Sequence, residues 1–356
     1  MAGTVRKYAF INAKLRARIS KILPEQVSAE MARAKSLTEA VQLLRATDFA
    51  AVESVYGRTG DIKMAEMELA RKEVRLYLEL EELTKDEVRA IVFALAERYE
   101  IENLKHALRL WFDSRVRGRR IDSAVGYLMR DRVHRDLPLD RVVNAATLEE
   151  AAEDLQGTPY SLPVAEHSAE VARLQSLFPL EIALDHQFYR QLLAAVGGLK
   201  PRDRDIARRM IGAEIDLANI TWLIRFKGFY KLPPERALAS AIPEGIYLNP
   251  QAVAEAYAAD NPSAVLTELV RRRYPGLSGL LTPREEGESY ARLILIERIL
   301  AEILLLEVRH LMAGYPFTIG ILLAYFVLKS AEIRRIMTVL NAKFYDWPEE
   351  RIMAAL

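Results

Sequence analysis

Ser36–Phe49 reads SLTEAVQLLRATDF and Thr147–Tyr160 reads TLEEAAEDLQGTPY. Shifted by 111 positions, Leu37, Glu39, Ala40, Leu44 and Thr47 recur as Leu148, Glu150, Ala151, Leu155 and Thr158, and Phe49 recurs as the aromatic Tyr160. Five identities in these 14 positions exceed the roughly one expected from ordinary composition. Both copies also state the same physics. A Ser or Thr followed three residues later by Glu is a capping box, in which the hydroxyl takes one orphan amide and the carboxylate returns to the cap amide. Each helix then leaves through a Thr-x-aromatic exit.

A second element occurs three times. Ile101–Arg109 (IENLKHALR), Leu217–Arg225 (LANITWLIR) and Ile333–Asn341 (IRRIMTVLN) superpose at a shift of 116 each time. Ile101, Leu217 and Ile333 align, as do Leu104, Ile220 and Ile336; Ala107, Leu223 and Val339; and Leu108, Ile224 and Leu340. Apolar positions at i, i+3, i+6 and i+7 make one helix face. An acid precedes each copy, at Glu100, Asp216 and Glu332. Three units of this period nearly fill the chain, so the expected organisation is residues 1–120, 121–235 and 236–356, with the terminal segments free to pack together.

The rest of the chain speaks for helices. No run of alternating β-branched residues flanked by hairpin turns is present. Between Asp61 and Leu83 the spacing of Leu69, Leu76, Leu80 and Leu83 predicts an apolar stripe. Thr84-Lys-Asp-Glu87 reads as a further capping box, and Thr282-Pro283-Arg-Glu285, Asn249-Pro250 and Asn261-Pro262 read as helix starts. Gly157–Pro163, Lys231–Pro250 and Pro275–Pro283 read as connections, being rich in Pro, Gly or small polar residues. The fold class expected is all-α.

Composition excludes several kinds of chemistry. With 50 Lys and Arg against 49 Asp and Glu, the 356-residue chain carries a net charge of +1 and no global field for nucleic acid or an acidic substrate. It has no cysteine, which removes disulfides, thiolate metal sites and thiol nucleophiles. The opening residues lack the apolar core and cleavage site of a secretory signal, so a cytoplasmic protein is expected. Leu293–Met312 is long enough to span a bilayer but holds Glu297, Arg298, Glu302, Glu307, Arg309 and His310. Each such charge costs about 2.5–3.5 kcal/mol near a bilayer centre. Pro316–Leu328 is uncharged but covers only 13 residues, short of the roughly 20 a spanning helix needs. Both are expected to be buried core helices.

Catalytic patterns fail on spacing. Neither glycine-rich phosphate loop occurs, and Gly197-Gly198 before Leu-Lys-Pro is helix-ending punctuation. No Gly-x-Ser-x-Gly elbow is present. His106, His134, His167, His186 and His310 show no His-x3-His spacing, so no metal and no cofactor is expected. Glu181, Asp185 and His186 form the most metal-like local cluster and read as a solvated helix face. Arg298, Glu302 and Arg309 read as a structural ion-pair row at a helix seam. Arg115, Arg117, Arg119 and Arg120, followed by Arg130, Arg132 and Arg135, form one basic cluster; Arg271, Arg272 and Arg273 form another. Such clusters are either solvated helix ends complementing the dipole, or a docking surface for acidic protein loops or anionic lipid headgroups. Nucleic acid ranks last, because aromatic interleaving is missing.

Four stretches together resemble the C subunit of archaeal and bacterial V/A-type ATPases and ATP synthases, the relative of the eukaryotic V-ATPase d subunit. Tyr8–Arg18 (YAFINAKLRAR) is similar to the family's opening, and Leu148–Tyr160 to its Leu-x-x-Thr-Pro-Tyr element. Glu214–Lys227 (EIDLANITWLIRFK) resembles its acidic-Asn-Ile pattern, and Pro316–Lys343 its C-terminal block, the most specific of the four. The first copy departs from the pattern, with Asp48-Phe49 in place of Pro-Tyr. The resemblance implies three related helical domains around a pseudo-threefold axis, forming a funnel. It implies a non-catalytic rotor subunit on the cytoplasmic side of the membrane, between the rotor ring and the central stalk, with no small-molecule substrate. The residues alone leave two other readings open. One is a solenoid scaffold, which would show repeats of about 30–47 residues; the other is an enzyme with a helical cleft holding perturbed acids or histidines.

Overall fold

The computed structural model describes residues 2–226, 233–246, 250–259, 268 and 289–356. These residues form helices and no strand. In chain order they are α1 (Ala2–Ile19), α2 (Glu25–Arg33), α3 (Leu37–Gln42), α4 (Ala50–Thr59), α5 (Ile62–Leu83) and α6 (Asp86–Arg115). A 3-10 turn at Ala124–Tyr127 follows, then α7 (Leu139–Asn144), α8 (Leu148–Asp154), α9 (Ser161–Leu174) and α10 (Phe178–Gly197). The remainder are α11 (Pro201–Arg225), α12 (Pro234–Ala239), α13 (Pro250–Ala258), α14 (Ser289–Ala313), α15 (Gly320–Phe344) and α16 (Glu349–Ala355). The fold class is all-α, as the periodicities require.

The two capping boxes form, with one change. Glu39 N–H donates to Ser36 Oγ at 3.2 Å and Glu150 N–H to Thr147 Oγ1 at 3.3 Å. The carboxylates return one residue further back than expected: Glu39 accepts from Lys35 N at 2.8 Å and Glu150 from Ala146 N at 2.6 Å. The exits match as well. Thr47 and Thr158 donate to Leu44 O and Leu155 O, each at 2.7 Å, and accept from the amides of Phe49 and Tyr160. Both aromatic rings are fully buried.

Other local expectations need correction. Thr84 does not start α6: Lys85 occupies the cap without a side-chain bond, and the Thr84 hydroxyl donates backward to Leu80 O at 2.8 Å, closing α5. The Leu stripe of α5 is buried at Leu69 and Leu80, but Val74 and Tyr77 supply the turns between them. Lys231–Pro250 is not all connection, since α12 lies inside it, and the 157–163 connection gives way to α9 at Ser161. The starts at Asn261-Pro262 and Thr282–Glu285 and the Pro275–Pro283 connection lie outside the described residues. So does Asn249, although Pro250 opens α13 as a first-turn proline should.

The chain divides into two compact units, each containing segments distant in sequence. The larger comprises Arg18–Ala195 with Lys329–Leu356. In its core the repeated face of α15 (Ile333, Ile336, Val339 and Leu340) packs with Met31, Leu44, Phe49 and Leu69. The corresponding face of α6 (Ile101, Leu104, Ala107 and Leu108) is buried in the same unit. Burial of side chains this size contributes about 1.5–3 kcal/mol each, which is what makes the C-terminal helix inseparable from residues near the start of the chain.

The other unit comprises Met1–Ala17 with Val196–Leu328. Its α11 begins with Asp203, buried at 5% exposure, whose carboxylate accepts from Tyr8 Oη at 2.7 Å and from Ile319 N at 3.0 Å. Further along, Asn219 exchanges two hydrogen bonds with the backbone of Ile242 (2.9 and 2.8 Å). Gly212 permits that approach: a Cβ there would lie 2.7 Å from Ile246 and 3.3 Å from Glu244 O. Arg209 Nη2 donates to both carboxylate oxygens of Glu307 on α14, at 2.6 and 2.9 Å. Leu217 is half-buried; the side chains of Ile220, Leu223 and Ile224 lie outside the described residues, as does that of Arg298.

Candidate docking surface and buried acid sites

The first basic cluster sits where α6 ends and its carbonyls face outward. Cations there complement the helix dipole. Arg115 spends its guanidinium on the end of α7, with Nη2 donating to Asn144 O at 2.8 Å and Nε to Ala145 O at 3.2 Å. Trp111 Nε1 donates to the same Ala145 carbonyl at 3.0 Å. Arg117 and Arg119 share Asp113, at 2.9 and 3.6 Å, and Arg117 lies over the Phe112 ring. Arg120 meets Asp122 at 3.2 Å and is almost wholly exposed. Three guanidiniums against two carboxylates leave the Arg117–Arg120 surface positive. Arg130 and Arg132 belong to other contacts, with Asp140 and with His134 O, and Arg135 is turned into the larger unit. Arg271, Arg272 and Arg273 lie outside the described residues.

Arg135 leads to a site that spacing alone did not reveal. The three acids preceding the repeated helix face, Glu100, Asp216 and Glu332, are all 1–2% exposed. A buried carboxylate must be paired and hydrogen-bonded to remain ionised. Glu100 accepts four hydrogen bonds: Oε1 from His134 N (2.7 Å) and Arg135 N (2.5 Å), and Oε2 from Arg135 Nη1 (2.7 Å) and Tyr160 Oη (2.8 Å). Arg135 Nη1 also reaches Glu97 Oε1 at 2.7 Å, so one guanidinium serves two buried acids. Burial pushes the Glu97 carboxyl above the usual carboxylate range despite Arg135. Burial and the neighbouring Glu100 charge likewise push the Tyr160 phenol far up, keeping it a hydrogen-bond donor.

The same place in the other copy is built differently. The shift of 111 relates Leu23, Pro24 and Phe49 to His134, Arg135 and Tyr160, and twice 116 relates Lys329 and Glu332 to Glu97 and Glu100. Glu332 Oε1 accepts from Leu23 N at 2.7 Å, as Glu100 does from His134 N. Pro24 supplies no cation, and Phe49 supplies no hydroxyl. The cation comes instead from the helix: Lys329 Nζ lies 2.6 Å from Glu332 Oε2, in charge contact though not aligned for a hydrogen bond, and 4.6 Å from the Phe49 ring centroid. Lys72 covers the same ring at 5.1 Å. A carboxylate, an amide and a cation persist while the residue supplying the cation changes.

The Glu181–Asp185 pair also differs from expectation. It is no solvated face: Lys105 of α6 binds Asp185, and Arg109 Nε donates to Glu181 at 2.6 Å, forming an ion-pair row between α6 and α10. Burial holds the Asp185 carboxyl above its ordinary range, and Lys105 opposes that. Among the described residues no group of three or more His, Asp or Glu is placed to hold a metal ion, and no helix is long and apolar enough to cross a membrane.

The described residues make an all-helical protein with internally repeated caps and buried-acid clamps. The chain belongs to the ATP synthase (C/AC39) subunit family, whose model matches residues 11–355. It is similar to the C subunit of the A-type ATP synthase of Methanocaldococcus jannaschii, at 23% identity over 98% of this chain and 86% of that protein. The corresponding A-type ATP synthase protein of Thermococcus gammatolerans is 27% identical over 94% of this chain and 86% of its own length. That of Thermococcus onnurineus is 26% identical over 95% and 86%.

Proposed function

We propose that this chain is the non-catalytic central-rotor subunit of a V/A-type ATP synthase, linking the membrane rotor ring to the central stalk and carrying torque between ion transport and ATP synthesis or hydrolysis. Family membership along nearly the whole chain is the observation that supports this. In the same reading, three related helical domains, close to 1–120, 121–235 and 236–356, surround a pseudo-threefold axis as a funnel. The support is the recurrence of buried acids at a constant interval and the matching caps at Ser36 and Thr147. Closely packed helices transmit strain with little compliance, which a torque adaptor requires. The subunit works as a peripheral protein on the cytoplasmic side, holding its complex by protein contacts and reaching lipid headgroups only at the edge.

In this reading Arg115–Arg120 help dock the ring-facing end, and Arg271–Arg273, outside the described residues, are a second candidate cluster for the same role. Exposure of Arg117, Arg119 and Arg120 and the shortage of acids among them support it. Co-purification from detergent-solubilised membranes tests the assembly role: rotor-ring and stalk proteins should accompany the chain, and their absence would overturn it. Reversal of Arg117 and Arg119 to Glu tests the surface. Retention on purified membrane sectors should fall, and unchanged retention in moderate salt would end the docking assignment.

A further inference from the structure

Glu97 is a buried acid that the repeated architecture does not need. At the corresponding place the other copy balances one carboxylate, Glu332, with one cation, Lys329. Here two carboxylates, Glu97 at 2% and Glu100 at 1% exposure, share the single guanidinium of Arg135. Burying a surplus negative charge is costly unless something offsets it. Glu100 uses both oxygens on protein donors, whereas Arg135 engages only Oε1 of Glu97.

Beside Glu97 lies an open cavity of about 590 Å³ at the surface of the larger unit, with Asp86, Arg89, Ala90 and Ala194 exposed on its walls; its volume falls inside the 300–1,000 Å³ range of small-ligand sites. Ala90, Phe93, Ala94, Ala194 and Ala195 give it apolar walls. Its charged lining is Glu81, Asp86 and Glu97 against Arg89 and Arg135. Both arginines are already engaged, Arg89 with Glu81 at 3.1 Å and Arg135 with Glu97 and Glu100. Gln191 lines the wall too, and its Oε1 is buried without a donor. The cavity therefore offers acceptors, one carboxylate more than its two arginines balance, and small apolar side chains.

We propose that this cavity binds a small aliphatic cation, a primary ammonium or guanidinium on a short alkyl stem, with Glu97 Oε2 as the charged anchor and Gln191 Oε1 as a second acceptor. The alkyl stem lies along the alanine wall, and Asp86 stands at the exposed end. The site exists in one copy only, because Ala213 and Lys329 stand at the place of Glu97 in the other two. Binding is a property of the isolated full chain, so it stands or falls independently of the rotor assignment.

Calorimetric titration of the full chain with 1,4-diaminobutane and with agmatine tests it, with 1,4-butanediol as the neutral control. The expected result is saturable binding of one cation per chain and none of the diol. Glu97→Gln, which keeps a carbonyl oxygen for Arg135, should weaken the affinity at least about tenfold with unchanged circular dichroism. Ala194→Leu, at an exposed wall position, should block the cavity while leaving the core intact. A further arm with Nα-acetyl-lysine amide separates the sources: tighter binding than the diamine assigns the cation to a partner's lysine, weaker binding to a free amine. Absence of saturation at about 10 mM, equal binding by Glu97→Gln, or binding of the diol would each overturn the proposal.

Discussion

Tyr160 donates its phenolic hydrogen to Glu100 at 2.8 Å, from a ring with no exposed surface to a carboxylate with almost none. Removing one partner of such a bond costs more than the bond contributes on average, because the other is left short of a donor. Glu100 keeps three further donors, which limits the loss. Tyr160→Phe should therefore reduce unfolding free energy by about 1–2 kcal/mol in urea titration. Glu100→Leu, which strands the backbone amides of His134 and Arg135 and leaves the Arg135 guanidinium with Glu97 alone, should cost about 3–5 kcal/mol. A Tyr160→Phe variant as damaged as Glu100→Leu would show that the hydroxyl, not the carboxylate, organises this site.

The paired caps make a prediction about additivity. Ser36→Ala and Thr147→Ala each remove one hydroxyl acceptor from a helix start and should each cost about 1 kcal/mol. The two sites share no hydrogen-bond partner, so the double variant should lose the sum within about 0.5 kcal/mol. A clear shortfall in the double variant would mean that the caps belong to one cooperative element.

Arg115 and Arg120 were indistinguishable as members of one basic run, yet the structure gives them opposite environments. Arg115 closes the end of α7 through two carbonyls, while Arg120 stands in solvent beside Asp122. Arg115→Ala should lower stability by about 1–2 kcal/mol, the net value of hydrogen bonds to a charged group. Arg120→Ala should stay within about 0.5 kcal/mol of the parent, as exposed substitutions do. Thermal melts of the two variants side by side decide this, and equal melting temperatures would contradict the assignment.

What the sequence disclosed depended on how local each interaction is. The Ser36 and Thr147 boxes and the Thr47 and Thr158 exits close within four residues, so their residues could be read in a row. Thr84 satisfied the same pattern and went the other way, because its hydroxyl could equally close α5, and a spacing rule does not rank those choices. The acids at 100, 216 and 332 were visible as a repeat, but not that they are buried. Arg135 joins Glu97 and Glu100 across 38 and 35 positions, and Lys329 does the equivalent task from a different element. No periodicity carries a contact in which the cation has moved from a loop to a helix. The Glu181–Asp185 pair was legible as acids on one helix turn, but its partners Lys105 and Arg109 lie on another helix.

Glu97 and Asp185 give the fold a dependence on pH of unusual sign. Burial raises both carboxyls above their ordinary range in the folded chain. The folded state then holds more protons than the unfolded chain in the interval between the ordinary and the raised values. Stability rises with pH where the unfolded state binds more protons, so across this interval it must fall as pH increases. The contribution of each group is fully present below the unfolded carboxylate value and is lost as pH rises through the folded one. Paired surface acids of the opposite kind, such as Asp61 and Asp140, whose carboxyls are lowered by Tyr127 and Arg130, pull the other way. The difference between parent and variant isolates each group. Glu97→Gln and Asp185→Asn should each become more stable relative to the parent as pH climbs from the ordinary carboxylate range toward neutrality, with Asp185→Asn carrying in addition a pH-independent loss from the broken Lys105 pair. Urea titrations at intervals of half a pH unit measure both curves; a Glu97→Gln advantage that shrinks with rising pH would mean that Arg135 outweighs burial and holds Glu97 ionised.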